Sequence, residues 1–511
     1  MSLSILDATT LAAVRAATDQ EAQLTALAAP FVSAGLVKAR VYAGSTQLDE
    51  GTYPAWVIDT TTDPRTMYLG ARSAYSALAT GTPDSMRFIA GSTEIFRDAA
   101  GVGLSAGAGV SFAAGVMPST AAARLSDPLA ASKYRVTGAP GLPLANVPAW
   151  ITSQTVNTWG TIPGATLSSA DPDPGRTSAW AGASGQVAAI TAWNGATHDG
   201  VGRVYLTAQG GHNDYSGNEV YVWDMTSESP TWAMLLAPSD IADYSTGAGT
   251  ASAYSDGRPR STHTYNANVW VPGLGPCLAG LPGVATPGTE GTRKTVAFSA
   301  TTGAATFYSA PTTSGNGTSV AACFDATRGT QGSIWRRQHG TSLIQRWDVA
   351  ADTWADVGSV QAWNRQCSLT AHPDGAYLLI GNGDPSGAPS VSGGWAVFKC
   401  ADGTYHYPTF SGTVSGGLQP GECQPVWVAS LGCFGAWDNA TDRTRITTLT
   451  PGADPFTDAW TISYLTVGGS NSVTPSAAQG NGTYGRFVYW EAAGVFVLLN
   501  SNTETGYFFK A

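Results

Sequence analysis

Charge is what this sequence has least of. Only 12% of its 511 residues are Asp, Glu, Lys or Arg, against about 25% in ordinary globular chains. Its surface is therefore built largely from Ser, Thr, Asn and Gly. The net charge of −10 argues against nucleic acid or an anionic membrane as partner. The uncharged run at 101–117 is rich in Gly, Ala and Ser. It reads as strand and turn, so no membrane insertion is expected. A secretory leader is not expected either, because Met1-Ser2-Leu3-Ser4 lacks a basic start and Asp7 interrupts the apolar residues. Paired cysteines are missing too. Cys277, Cys323, Cys367, Cys400, Cys423 and Cys433 are scattered with no C-x-x-C, which disfavours zinc. Most lie in strand-like runs, where a free thiol packs as a small apolar residue; a disulfide stays open.

What the chain does have is 61 Gly, 29 Pro and 17 Trp, a composition that favours many short strands and turns. One stretch organises the rest. Val204-Tyr205-Leu206-Thr207-Ala208 leads into Gly210-Gly211-His212-Asn213-Asp214-Tyr215-Ser216-Gly217-Asn218-Glu219, and Val220-Tyr221-Val222-Trp223 follows. Two β-rich runs joined through glycine and Asn/Asp predict a hairpin. The double glycine fits a place where strands crowd and a Cβ would collide.

The start of the chain reads differently. Residues 1 to about 35 are the one clear helical region, with a capping box at Thr18-Asp19-Gln20-Glu21, helical spacing of Leu24, Leu27 and Phe31, and a stop at Gly35. Val37 to Tyr42 then alternates as a strand. Met86-Arg87-Phe88-Ile89 and Thr93-Glu94-Ile95-Phe96-Arg97 predict a hairpin. This makes 1–120 a helix-then-β domain. Pro118, Pro128, Pro140, Pro143 and Pro148 mark 121–150 as a linker.

From 151 to 511 the chain repeats. A strand is expected near 186–193, ahead of the organising stretch. Further units begin at Arg260, Val320, Gln366, Gln424 and Gly485. Six units of about 50–60 residues fit four-stranded blades. The sixth is one strand short, and the segment near 157–163, with Trp159, supplies a strand that closes the ring and removes two exposed edges. The fold class is mainly β, a six-bladed propeller after a small helix-plus-β domain; five or seven blades remain alternatives.

The propeller part resembles kelch/galactose-oxidase-like propellers of phage and bacteria. The likeness lies in Gly-Gly-His-x-Asp-Tyr-x-Gly-Asn-Glu-Val-Tyr at 210–221, Gly-Arg-Pro-Arg-Ser-x-His-Thr-Tyr at 257–265 and Tyr-Gly-Arg-Phe-x-Tyr at 484–489. The N-terminal unit resembles small phage virion attachment domains, through residues 35–44 and 88–96. The resemblance implies a tailed-bacteriophage virion protein of tail-fibre type, assembled in the host cytoplasm as a homo-oligomer. Residues 1–120 would dock onto tail or baseplate proteins, and the propeller would bind a host-surface glycan or protein.

The polar cluster expected to bind ligand is His212, Asn213, Asp214 and Tyr215 in one loop, with Arg258, Arg260 and His263 at the start of the next blade. Loops on a rigid scaffold carry function, and His, Asp, Arg and Tyr together suit a polar ligand such as a sugar. The opposing reading gives these residues to loop backbone groups and inter-blade carbonyls. A sialidase-like, glycan-cleaving alternative needs convergent arginines, for which Arg260, Arg336, Arg365 and Arg486 are placed, but no good aspartate box accompanies them. No catalytic residue is assigned. His198, His212, His263, His339, His372 and His406 fall in different units without ligand spacing, against copper. No cofactor is expected, apart from Ca²⁺ as an option at Asn382-Gly383-Asp384. A ligand-free virion ornament is the third alternative.

Overall fold

The structure is a computed structural model. It describes residues 147–171, 185–210, 214–240, 252–280, 293–312, 320–338, 341–360, 366–382, 394–412, 423–437, 442–478 and 482–511, together with seven strands before residue 112. The helix expected over 1–35 and residues 121–146 of the expected linker lie outside these. The chain divides into two compact units, Met1–Ala145 and Asn146–Ala511.

In the first unit, β1 (Leu36–Ala43) lies between β2 (Thr46–Gly51) and β5 (Ser85–Ala90). The short β6 (Thr93–Glu94) and β7 (Gly109–Ser111) both pair with β5. β3 (Trp56–Asp59) and β4 (Thr66–Leu69) form a separate hairpin.

The second unit is a ring of six antiparallel sheets. Blade 1 holds β9 (Thr197–His198), β10 (Arg203–Thr207), β11 (Val220–Asp224) and β12 (Thr231–Leu236). Blade 2 holds β13 (Asn268–Val271), β14 (Gly275–Leu278), β15 (Val296–Phe298) and β16 (Ala305–Phe307). Blade 3 holds β17 (Val320–Asp325), β18 (Ser333–Gln338), β19 (Leu343–Asp348) and β20 (Thr353–Ser359). Blade 4 holds β21 (Cys367–Ala371), β22 (Tyr377–Asn382), β23 (Trp395–Lys399) and β24 (Tyr405–His406). Blade 5 holds β26 (Val426–Val428), β27 (Cys433–Trp437), β28 (Ile446–Thr450) and β29 (Trp460–Tyr464), with β25 (Phe410–Ser411) added in parallel. Blade 6 holds β30 (Phe487–Trp490), β31 (Val495–Leu498) and β32 (Tyr507–Lys510). Its outer strand is β8 (Thr158–Thr161), paired antiparallel with β32.

Neighbouring blades cover both faces of each inner strand, which is why those strands read as continuous apolar runs rather than alternating ones. All six residues of β18 are buried, while the outer strand β20 is mostly exposed. The cores lie between blades. Trp335, Leu378 and Phe398 join blades 3 and 4, and Trp159, Trp437 and Phe487 join blades 5 and 6. The six cysteines are free and buried, in keeping with small core residues.

One expected strand is absent. Residues 185–191 form a 3₁₀ turn and a single helical turn, Gly185–Val187 and Ala188–Thr191. Gln186, Ala188, Ala189 and Ile190 are buried there. The apolarity of Ala188, Ala189 and Ile190 reflects packing rather than a strand, a distinction that a short apolar run does not carry.

Strand alternation sorts the connections onto two faces. Turns such as 199–202 and 225–230 are short and share one face. The connections 208–219 and 237–267 leave from the other, the loop face. Thr158 pairs with Lys510, so the chain enters the ring on the turn face.

Candidate functional site on the loop face

Loops 208–219 and 237–267 are stitched together by backbone. The Thr262 amide donates to the Ala208 carbonyl at 2.9 Å, and the Gly210 amide to the Thr262 carbonyl at 3.3 Å. Asn218 Nδ2 donates to the Pro259 carbonyl at 2.7 Å, and Ser261 Oγ to the Tyr215 carbonyl at 2.8 Å. Gly210 is needed for this local closure. A Cβ there would lie 2.2 Å from the Tyr215 carbonyl oxygen and 2.6 Å from Ser261 Oγ.

The segment before blade 1 completes the arrangement. The Tyr265 amide donates to the Trp193 carbonyl at 2.7 Å, and the Thr264 amide to Asn194 Oδ1 at 2.7 Å. Arg486 Nε reaches the Asn194 carbonyl from blade 6 at 2.7 Å. The result is a row of rings. Trp193 lies 5.1 Å from His263, His263 5.9 Å from Tyr265, and Tyr265 5.6 Å from Tyr484. Trp193, Tyr265 and Tyr484 all have left-handed backbone, at φ 52°, 45° and 46°. Each costs on the order of 1–3 kcal/mol, and such strain gathers where surroundings over-determine a geometry.

The loop residues singled out from sequence meet different fates. His212 and Asn213 lie outside the described residues. Asp214 and His263 come together, with His263 Nε2 2.9 Å from Asp214 Oδ2. The histidine is 1% exposed and the aspartate 34%. Tyr215 is buried; its hydroxyl donates to Glu219, itself buried. Burial and the Glu219 charge push that phenol far above its ordinary range. Tyr265 is pushed up in the same way by burial and the Asp214 charge. Arg258 bends back to the Ala237 and Pro238 carbonyls, at 2.8 and 3.2 Å. Arg260 is fully buried with its guanidinium 5.0 Å over Tyr254.

The other arginines are spoken for as well. Arg336 donates to the Ala279 carbonyl, Gln345 and Gln338. Arg486 serves the Asn194, Leu499 and Gly482 carbonyls. Burial pulls both guanidiniums down, to about 9 for Arg336 and about 10 for Arg486. Arg365 lies outside the described residues. Arg260, Arg336 and Arg486 thus act as inter-blade or loop rivets rather than as a convergent anion clamp.

Two amides cross the ring beneath this site. Asn266 Nδ2, at the start of blade 2, donates to the Cys367 carbonyl of blade 4 at 2.7 Å. Gln424 Nε2, at the start of blade 5, donates to the Ala322 carbonyl of blade 3 at 3.1 Å. Each spans a blade, so side chains occupy the axis at this level. Among the described residues no three His, Cys, Asp or Glu side chains are placed to hold a metal ion. Gly383 and Asp384 of the suggested Ca²⁺ loop lie outside them.

In the sequence Trp193 stands only at the end of the run near 186–193, and Tyr484 only at the head of the 484–489 motif. Asn194-Gly195 marks a turn, but the left-handed aromatic beside it has no sequence signal, since β-region backbone is the default for Trp and Tyr.

Fold and site together define a six-bladed β-propeller with an aspartate–histidine pair on its loop face. No family model matches the sequence, and no curated protein matches it. Among solved structures, the chain is similar to a Bacteroides thetaiotaomicron structural-genomics protein of unknown function. That likeness has a TM-score of 0.40 and 12% identity, covering 92% of this chain and 89% of the other. A chain in a crystal structure of a mitotic checkpoint complex matches with a TM-score of 0.34 and 10% identity, over 70% of this chain and 94% of that one.

Proposed function

We propose that the propeller is a recognition module for a host-surface glycan, and that residues 1–120 tie it to the tail of a virus particle. One observation carries the recognition half. Asp214 presents a carboxylate toward solvent while the His263 behind it is buried. A relay that withdraws a proton from substrate has the reverse order, with histidine outward and carboxylate behind. A carboxylate held outward by a buried imidazole N–H is suited to accept hydrogen bonds from ligand hydroxyls. Glu219, the nearby carboxylate in sequence, is consumed by Tyr215, which favours binding over a two-carboxylate hydrolysis. The virus-particle half rests on the N-terminal resemblance. Adsorption of the full chain to candidate host cells tests the reading. Retention without shortening of the surface polysaccharide is expected; shortening would replace the binder with an enzyme.

A further inference from the structure

We propose that the rim formed by Trp193 and Asp214 takes a non-acidic pyranose: a neutral hexose or amino-sugar unit of a surface polysaccharide. The proposal rests on the glycan reading above and narrows it to one sugar class and a different set of residues.

Three observations converge. First, the ligand meets a carboxylate. Asp214 is the more exposed member of its pair, and His263 fixes it from behind through Nε2 at 2.9 Å. His263 is therefore a positioning residue, while Asp214 makes the contact. A fixed carboxylate accepts from two neighbouring hydroxyls, or pairs with an ammonium group.

Second, an aromatic surface adjoins it. Trp193 is only partly buried, lying against Ala188, Ala192 and Tyr215. Its ring stands 5.1 Å from that of His263, tilted by 42°. A partly buried indole beside a fixed carboxylate suits the apolar C–H face of a pyranose. Left-handed backbone at Trp193 and Tyr265 fixes a row in which His263 and Tyr265 are buried and Trp193 is the partly exposed member.

Third, the arginines described on and near this face are already engaged. Arg258 is partly exposed but pairs with Asp256 at 3.4 Å and donates to the Ala237 and Pro238 carbonyls, Arg260 is fully buried against Tyr254, and Arg486 is enclosed by three carbonyls. A uronate, sialate or sugar phosphate would meet Asp214 with like charge, and among the described residues the carboxylate is paired with His263 and with no arginine.

The test is affinity electrophoresis of the full chain through gels holding dextran, mannan or galactomannan, glycol chitosan, and, in a separate set, alginate or polysialic acid. Retardation by at least one neutral or amino polymer and none by the acidic ones is expected. Asp214→Asn and Trp193→Ala should each weaken it by about tenfold or more. His263→Ala should weaken it too. His263→Gln, which keeps a side-chain N–H donor, should recover part of the loss. Trp193→Phe keeps a ring face and serves if the alanine variant fails to fold. Retardation by the acidic polymers that Asp214→Asn leaves intact or strengthens overturns the sugar class. Cell adsorption that survives all of these variants overturns this site while leaving the propeller a binder. Absence of retention on every gel and every cell type overturns both readings.

Discussion

Arg486 donates from Nε to the Asn194 carbonyl across 2.7 Å, a contact that joins the last blade to the segment opening the first. Its two other nitrogens serve the Leu499 and Gly482 carbonyls at 2.5 Å each. Burial has drawn the guanidinium down to about 10, yet it stays charged at neutral pH and satisfies three acceptors that would otherwise be orphaned.

Arg486→Gln strands most of those carbonyls. A loss of about 3 kcal/mol is expected, since hydrogen bonds to a charged group contribute roughly 1.5–3 kcal/mol. The urea midpoint reads it, and an unchanged midpoint would rule out the clasp.

Trp159 tests the ring closure directly. It is 1% exposed, its indole N–H donates to the Thr444 carbonyl at 2.8 Å, and it packs edge-on against Phe509. Trp159→Ala should cost about 3–5 kcal/mol. Trp159→Phe keeps most of the volume and should cost less. Equal losses for the two would mean that the hydrogen bond, not the packing, dominates.

Gly195 is a steric requirement of the candidate site. A Cβ there would lie 2.1 Å from the Tyr265 carbonyl oxygen and 2.9 Å from the Gly485 amide nitrogen, both backbone atoms. Gly195→Ala should therefore cost about 2–3 kcal/mol and disturb the ring row. Gly200→Ala is the control. Nothing lies within 4 Å of its Cβ position and only its φ of +80° resists, so about 1 kcal/mol is expected. Thermal denaturation of the two variants distinguishes crowding from dihedral strain.

Stability between pH 4 and 6.5 should be shaped by two adjacent residues with opposite signs. Burial lowers His198 to about 4, so the unfolded chain takes its proton first and acidification destabilises as pH falls from 6.5 to 4. Burial raises Asp199 to about 6, so the folded chain takes that proton first and acidification stabilises as pH falls from 6 to 3.8. Each effect is at most about 3 kcal/mol, and in the native protein they largely offset. His198→Gln should become more stable on acidification through this window, and Asp199→Asn should become less stable. Parallel pH profiles in both variants would refute the assignment.

Much of the propeller was legible because its signals are local. Trp347-Asp348 followed by Thr353-Trp354 announces the strand pair β19 and β20, and those tryptophans do face each other in register. Strands with weak signals escaped. β14 carries Pro276 inside Gly275–Leu278, and β28 is Ile446–Thr450 with three threonines. A repeated turn device also went unread. In Asp224-x-Thr226, Asp325-x-Thr327, Asp402-x-Thr404 and Asp442-x-Thr444 the aspartate accepts from both the amide and the hydroxyl of the threonine. This is an Asx-turn with mechanistic content. In the candidate site, residue types were readable and directions were not. Arg258, Arg260 and Asp214 look equally available in a sequence, but only the folded backbone decides that Arg260 is buried against Tyr254, that Arg258 is tied to Asp256 and two carbonyls, and that Asp214 is held by His263 with its carboxylate partly exposed.

The pairing of β8 with β32 also bears on synthesis. β8 leaves the ribosome before any other strand of the propeller, yet its partner spans residues 507–510. At about 5–20 residues per second, that outer strand waits for tens of seconds with an unpaired edge. Thr158 and Thr161 flank Trp159 and Gly160 in it, so the waiting edge is short and half polar, a composition that discourages premature pairing with another nascent chain.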